Sequence, residues 1–411
     1  MVNSQTSSWQ LKKLEDICEV RKGKFDPKKE PNTIYIGLEH IEQQTGRLLG
    51  TGDSGETTSI KSIFKTGDVL FGKLRPYLRK YWFATFDGVC ATEILPLTPK
   101  KGIDSKFLFY IIQQDKFVDY LDQKSYGTKM PRTSWKEMAE YNINLPPLSE
   151  QRKIAAILSS VDEAIEKTEA IIEQTEKVKK GLMQQLLTKG IGHTKFKKSE
   201  IGEIPEEWEV KSIDELVFVN PESLSNKTNE EYEFEYIDIG SVERTGKIGE
   251  TVRYQFKNSP SRARRIVRTG DTIISTVRPY LRAFAFIDNK HDQKVCSTGF
   301  AVLRPKEKID PVFLFQSILN DKFVEFLKSR MTGSNYPAVT ATDIKEYKLG
   351  VPRDINEQTK IAKILAKYDE KLEIEEKSLE QLQTIKKALM QVLLTGKVRV
   401  KVDDEVNNPM T

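Results

Sequence analysis

The sequence says the same thing twice. Arg75-Pro76-Tyr77-Leu78-Arg79 returns as Arg278-Pro279-Tyr280-Leu281-Arg282, 203 residues later. Asp115-Lys116-Phe117-Val118 returns as Asp321-Lys322-Phe323-Val324 after 206, and Leu182-Met183-Gln184 as Leu389-Met390-Gln391 after 207. Trp9 and Trp208 stand 199 apart, so the spacing drifts slowly and short loop insertions separate two collinear halves. The period far exceeds the roughly 20–50 residues of a solenoid repeat. Such a chain is a duplicated domain, which favours pseudo-two-fold symmetry and a target or partner that is itself two-fold or bipartite.

A length of 411 residues allows two to three domains, each with a core of its own. Charged residues make up 30% and apolar ones 38%, so much of the chain is surface. The 65 basic residues are nearly offset by 60 acidic ones, and a net charge of +5 favours nucleic acid only mildly. Met1 to Gln10 is polar and carries no secretory signal, and no apolar run approaches the ~20 residues of a membrane span. Cys18, Cys90 and Cys296 are odd in number and widely spaced. Cys90 and Cys296 occupy matching strings, Val89-Cys90-Ala91-Thr92 and Val295-Cys296-Ser297-Thr298, which read as buried strand thiols in a reducing, cytoplasmic setting.

Each half has two parts. Residues 1–149 and 191–355 mix short β-rich runs, such as Thr33–Ile36 and Asp271–Ser275, with turns at Gly67-Asp68, Gly270-Asp271, Thr45-Gly46-Arg47 and Thr245-Gly246-Lys247. A helix is predicted over Ser105–Leu121 and again over Pro311–Leu327. Residues 150–190 and 356–396 contain no proline and read as helices, with Ser149 and Asn356 as N-caps and Gly190 and Gly396 as stops. At 1.5 Å per residue, ~40 residues make a rod about 60 Å long. A heptad-like seam runs Ile154, Leu158, Val161, Ile165, Thr168, Ile172, Thr175, Val178, Leu182, Leu186 on the first rod. It runs Ile361, Leu365, Tyr368, Leu372, Glu375, Leu379, Leu382, Ile385, Leu389, Leu393 on the second. The fold class is therefore α+β: two mixed α/β domains related by pseudo-two-fold symmetry, joined by two long helices packed as an antiparallel coiled coil. Residues 397–411 are a tail.

Off the seam, Ala155/Ala362, Ile157/Ile364 and Leu187/Leu394 match between the rods, as do Gln151/Gln358, Asp162/Asp369 and Lys180/Lys387. Two readings are open. These residues pack against the chain's own globules, or they form two equivalent docking sites for two copies of one partner.

Signatures of catalysis are missing. Gly240 to Lys247 has one residue too many for a phosphate-binding loop and is followed by Ile248. His40, His193 and His291 lie apart, without metal-ligand spacing. No nucleophile elbow occurs, and Asn220-Pro221-Glu222 lacks the second proline and the aromatic of an adenine methyltransferase motif. The pattern points to binding and assembly. A nuclease with an unrecognised acidic site and a scaffold for other proteins are the rival readings.

Leu145-Pro146-Pro147-Leu148-Ser149-Glu150-Gln151-Arg152-Lys153-Ile154-Ala155 opens the first long helix. Val351-Pro352 with Asn356-Glu357-Gln358-Thr359-Lys360-Ile361-Ala362 opens the second, and Lys180-Gly181-Leu182-Met183-Gln184-Gln185-Leu186-Leu187 closes the first. These strings, each following a domain of some 150 residues, resemble the DNA-specificity subunit of type I restriction–modification systems over essentially the whole chain. The resemblance implies two target-recognition domains, each reading one half of a split double-stranded DNA site, with the helices setting the distance between halves. It implies two methyltransferase subunits docked on the helices and two restriction subunits joined through the assembled complex. S-adenosylmethionine, ATP and Mg²⁺ would belong to those partners, with no cofactor, metal or catalytic residue in this chain.

If the halves read different sequences, residues identical between them do not tell those sequences apart. Arg75, Tyr77 and Arg79, with Arg278, Tyr280 and Arg282, suit a phosphate clamp, or an arginine pair bracing a loop. Residues that differ are the candidates for base readout. Gly127-Thr128-Lys129-Met130-Pro131-Arg132 aligns with Gly333-Ser334-Asn335-Tyr336-Pro337-Ala338. Lys129 and Arg132 suit guanine, Asn335 suits adenine, Tyr336 stands beside it, and Lys73 contrasts with Thr276. On the helices, Gln151, Ile157, Lys180, Gln358, Ile364 and Lys387 are the candidate partner contacts. Arg262-Ala263-Arg264-Arg265 either grips phosphate or forms a solvated basic loop.

Overall fold

The structure, a computed structural model, describes residues 9–127, 129–244 and 246–402. The chain's first eight residues, Thr128, Thr245 and the tail beyond Val402, on which some of the expectations above fall, lie outside the described residues. Two compact units form, one from residues 1–169 and 377–411, the other from 170–376. The division falls inside the two long helices, Leu148–Lys189 and Ile355–Leu393. Each unit therefore holds one mixed domain, the start of one helix and the end of the other.

The units share one arrangement of two sheets and differ in a few edge strands and hairpins. In the first, a four-stranded antiparallel sheet is ordered Cys18–Val20, Ile94–Pro99, Val69–Gly72, Tyr81–Phe83. A second sheet is ordered Lys24–Phe25, Lys61–Phe64, Gly88–Cys90, Ile34–Ile36, Gly52–Asp53, with a parallel pairing of Tyr35 with Val89. In the second unit, Val217–Val219, Phe300–Pro305, Thr272–Ser275 and Phe284–Phe286 form the first sheet. Val252–Gln255, Glu233–Ile237, Val295–Ser297 and Ala263–Ile266 form the second, with Tyr236 parallel to Val295. The central strand Val69-Leu70-Phe71-Gly72 is buried along its whole length because both of its faces are covered. Leu70 packs between the sheets with Ile36, Phe64 and Trp82, whereas Val69 and Phe71 pack with the helices. Ile273 and Ile274 divide in the same way.

Where one helix was predicted, two form: Ser105–Ile111 and Asp115–Lys124, repeated as Pro311–Ile318 and Asp321–Arg330. Asp104 and Asp310 cap the first of each pair by accepting from Phe107 and Phe313 backbone N–H groups, and Asn320 caps a new helix at Lys322. The long helices likewise begin one residue before the expected caps. Asp354 accepts from the Asn356 backbone at 2.9 Å and takes the capping role assigned to Asn356. Gly190 follows the last residue of the first helix at φ +65°, whereas the second helix ends at Leu393, ahead of Gly396 at φ +73°.

The long helices complete the domain cores. Ile154, Ala155 and Leu158 join Leu393 and Leu394 among Phe71, Phe107 and Phe117 in the first unit. Ile361, Ala362 and Leu365 join Leu186 and Leu187 among Phe284, Phe313 and Phe323 in the second. Within each unit the helix segments run antiparallel. Lys386 near the end of the second helix pairs with Asp162 of the first at 2.7 Å, and the equivalent Lys179 pairs with Asp369. The same aspartates accept from the domains, Asp162 from the Tyr110 hydroxyl and Asp369 from the Gln316 amide, each at 2.7 Å. The seam is less regular than its heptads predict. Thr168 and Thr175 are buried, while Val178 and Ile385, at equivalent positions, are 36% and 47% exposed.

A shared clasp locks the start of each helix. Glu150, buried in the first turn, accepts from Trp9 Nε1 at 3.2 Å and from Arg399 Nε at 2.8 Å. Glu357 accepts from Trp208 Nε1 at 3.2 Å and is hydrogen-bonded to His193 Nε2 at 2.8 Å.

A buried aspartate anchors each central strand. Asp68 and Asp271 are 1% exposed and accept from the backbones of Lys65 and Arg268, closing the turns at Gly67 and Gly270. Each is paired with arginine: Asp68 with Arg21, and Asp271 with Arg304 through two bonds of 2.9 Å. Removing either carboxylate takes a partner from a half-buried guanidinium, of which Arg304 alone keeps a second carboxylate, Glu222, and it opens the turn. Asp68→Ala and Asp271→Ala are each expected to cost about 2–3 kcal/mol in their own unit, read by urea unfolding, with the smaller loss at Asp271 because Glu222 still holds Arg304. The thiols of Cys18, Cys90 and Cys296 are buried, and that burial pushes each up to about 12. An aromatic disulfide reagent at pH 8 is expected to label none of them until the protein unfolds.

Candidate nucleic-acid interface

The repeated Arg-Pro-Tyr-Leu-Arg string forms a single 3-10 turn in each unit, Pro76–Leu78 and Pro279–Leu281. Both flanking arginines adopt left-handed backbone: φ is 51° at Arg75, 53° at Arg79, 48° at Arg278 and 55° at Arg282. A side chain there costs about 1–2 kcal/mol per residue, so the surroundings must hold the conformation in place. They do so at both ends. Arg75 N–H donates to Pro131 O at 2.7 Å and Arg278 N–H to Pro337 O at 2.8 Å, tying the turn to the following loop. At the other end Arg79 pairs with Asp115 at 2.7 Å. Arg282 donates to Leu319 O at 3.1 Å and pairs with Asp321, which Lys180 also reaches at 3.0 Å. These cations hold the Asp321 carboxyl below its usual range.

The turn thus has two sides with different duties. Arg79 and Arg282 pair with the next helix and so brace the turn against it. Asp115 and Asp321, their partners, open the repeated Asp-Lys-Phe-Val string, and no local pattern in the sequence links that string to the arginines. Tyr77 and Tyr280 remain exposed, at 46% and 40%. Arg278 donates to Asn335 O at 3.1 Å and lies 5.2 Å from the centre of the exposed Tyr336 ring. Arg75 occupies the equivalent place, its Nε shielded from solvent and without a hydrogen-bond partner among the described residues.

The loop beside the turn is a small hairpin. Tyr126 and Arg132 exchange two 3.0 Å backbone bonds, and Thr332 and Ala338 exchange bonds of 3.0 and 2.9 Å. Lys73, Arg75, Tyr77, Lys129 and Arg132 are thereby gathered at one edge, and Thr276, Arg278, Tyr280, Asn335 and Tyr336 at the other unit's matching edge. Lys129, Asn335 and Tyr336 are exposed. The Thr276 hydroxyl donates to Gly299 O at 2.9 Å. Arg132 is held by Glu93 at 3.2 Å, a residue the sequence reading passed over. The available signal was that Glu93 aligns with a glycine where Arg132 aligns with an alanine.

Arg262–Arg265 is not a solvated loop: Ala263–Ile266 is an edge strand of the second sheet. Arg264 stacks 4.7 Å over Phe256, and burial disfavours the charge of Arg265.

The candidate partner contacts on the helices divide as well. Gln151 is buried, accepts from Asp104 N at 2.9 Å and donates to Pro146 O at 2.9 Å. Gln358 repeats this with Asp310 N at 2.8 Å and Pro352 O at 2.9 Å. Both fasten the helix to its own domain, which corrects their expected place in a docking site. Ile157 and Ile364 are half-buried against the same cores and belong with them. Lys180 and Lys387 stay on the surface. Among the described residues no group of three or more His, Cys, Asp and Glu is arranged to hold a metal, and no helix is long and apolar enough to cross a membrane.

Residues 6–177 and 205–384 each match the type I restriction modification DNA specificity domain. The chain is 33% identical to the type I restriction enzyme MjaVIII specificity subunit of Methanocaldococcus jannaschii, over 96% of this chain and 93% of that one. It is 32% identical to the putative MjaX specificity subunit of the same organism, over 96% and 94%. Its fold is similar to that of a type I restriction-modification S subunit from M. genitalium, with a TM-score of 0.61 at 17% identity over 96% and 98% of the chains. A duplicated domain, the shared helix openings and these matches lead to one conclusion: the chain belongs to the family of type I restriction–modification DNA specificity subunits.

Proposed function

We propose that this chain reads a bipartite, asymmetric double-stranded DNA site and performs no chemistry itself. Each unit reads one half-site, and the long helices set the spacer between the halves. The observation that carries the reading is the loop edge. The two units keep one backbone frame there, with equivalent hydrogen bonds matching within 0.2 Å, yet present Lys129 and Arg132 in one and Asn335 and Tyr336 in the other. Arg75 and Arg278, with Tyr77 and Tyr280, are the same in both and suit backbone contacts that carry no sequence information.

Two methyltransferase subunits dock on the helices in this reading, carrying S-adenosylmethionine and methylating adenine. Two restriction subunits join the assembled complex and supply the ATP- and Mg²⁺-dependent steps. The outward-facing pairs Val178/Ile385, Gly181/Ala388 and Lys180/Lys387 suit the docking better than the buried glutamines, because each pair is equivalent and exposed. A double-stranded DNA target fits work in the cytoplasm.

Mapping methylated adenines in cells that carry this chain and its methyltransferase is expected to return a split motif with a fixed spacer. A contiguous motif, or methylation unchanged without this chain, overturns the reading. Lys129→Ala is expected to relax one half-site and leave the other intact, by about ten- to a hundredfold in discrimination at one base pair. Val178→Asp with Ile385→Asp is expected to abolish co-purification of the methyltransferase at two copies per chain, while the melting temperature of the isolated chain stays unchanged. Duplex binding should weaken steeply with salt, because phosphate contacts release counterions; a protein-binding scaffold would show no such slope.

A further inference from the structure

We propose that Glu93 positions Arg132 for a guanine contact in the first unit, forming a charged reading pair that the second unit lacks. The proposal rests on the DNA-reading function given above and names one base in one half-site.

Three positions converge on the loop edge. Lys73 N–H donates to Glu93 O at 2.8 Å, and Thr133 N–H donates to Lys73 O at 3.1 Å. In the second unit Thr276 N–H donates to Gly299 O at 2.8 Å, and Val339 N–H donates to Thr276 O at 2.9 Å. The frame is the same, so Lys73, Glu93 and Arg132 correspond to Thr276, Gly299 and Ala338. All three charges disappear together in the second unit. Had Arg132 been a solitary loop cation, no reason would exist for its acidic neighbour to vanish with it.

The geometry gives Glu93 a specific duty. Its Oε2 accepts from Arg132 Nε at 3.2 Å, with the two side chains 36% and 38% exposed. A pair so open to water contributes little to stability, so holding the fold together does not account for it. The bond does fix the plane of the guanidinium. With Nε held, the Nη1 and Nη2 end projects from the edge; only a long contact of 3.5 Å, from Nη1 to Met130 O, engages it among the described residues. Two N–H groups side by side match O6 and N7 of guanine in the major groove. Fixing the plane beforehand removes part of the ordering cost of that contact.

The second unit lacks the arrangement. A Cβ placed on Gly299 would meet Ile239 Cδ1 at 2.7 Å, the far end of a flexible side chain, so the position is closely packed without a glutamate's acceptor beside Ala338. Ala338 has nothing to reach a base with, which leaves reading at this edge to Asn335 and Tyr336.

The test is selection of bound sequences by the full-length chain from a pool of random duplexes, followed by sequencing. Wild-type protein is expected to enrich a split motif with guanine at one position of one half. Arg132→Ala, Arg132→Lys and Glu93→Ala are expected to lose preference at that same position by about tenfold or more, with the other half-site unchanged. Glu93→Gln retains an oxygen acceptor for Nε and is expected to keep guanine as the preferred base, a rescue that a merely structural role would not produce. If wild-type protein enriches a split motif and Glu93→Ala leaves every position as it was, the positioning role is overturned while the DNA-reading function stands. If Arg132→Ala changes both half-sites alike, the effect is on folding and the proposal fails. If wild-type protein enriches no motif at all, the function itself fails and the proposal with it.

Discussion

Neither mixed domain closes its core with its own residues. The wall opposite the first sheet is built from the opening turns of one long helix and the closing turns of the other: Ile154, Ala155 and Leu158 with Leu393 and Leu394, then Ile361, Ala362 and Leu365 with Leu186 and Leu187. Buried leucines and isoleucines each contribute about 1.5–3 kcal/mol. Sliding either helix along its axis would empty two cores at once. That constraint explains why the helix openings repeat so closely, why Gln151 and Gln358 are spent on domain carbonyls and amides, and why Lys386 and Lys179 find the same aspartate in each unit.

With the scaffold held from behind, the opposite edge of each domain is free to vary. The Arg-Pro-Tyr-Leu-Arg turn stands between the two regimes. Its second arginine ties the turn to the helix that follows, and its first arginine ties it to the hairpin loop. The loop backbone then stays fixed while its side chains change, which suits a surface whose task is to differ between copies.

Much of this was legible in the sequence, because the chain carries its own comparison. The repeat fixed the number of domains, and the proline-free runs between Pro147 and Gly190 and between Pro352 and Gly396 gave the long helices. What the repeat left undecided was direction. Identity at Arg79 and Arg282 is equally compatible with a phosphate and with an internal acid, and only the placement of Asp115 and Asp321 reveals the acid. Identity at Gln151 and Gln358 had the same two readings, and burial chose the internal one. The heptad pattern misplaced Val178 and Ile385, which lie exposed between the turns that pack into the domain cores. Glu93 escaped notice because its partner is 39 residues away, a pairing no local pattern reveals.

The buried aspartates carry a consequence for how such a protein changes over time. Asp68 and Asp271 sit at the same point of the same turn, yet their arginines enter from different strands. Arg21 follows the edge strand Cys18–Val20, where the second unit has Asn220, and Arg304 lies on the adjoining strand, where the first unit has Thr98. What each copy has kept is a carboxylate in need of a cation, and the supplier has been exchanged. An ancestral half could pass from one arrangement to the other through an intermediate bearing both arginines, without the turn ever standing open. Inheritance here acts on an unmet electrostatic demand rather than on a particular pair of residues, and alignments of such chains should find the aspartate steady while its arginine changes address.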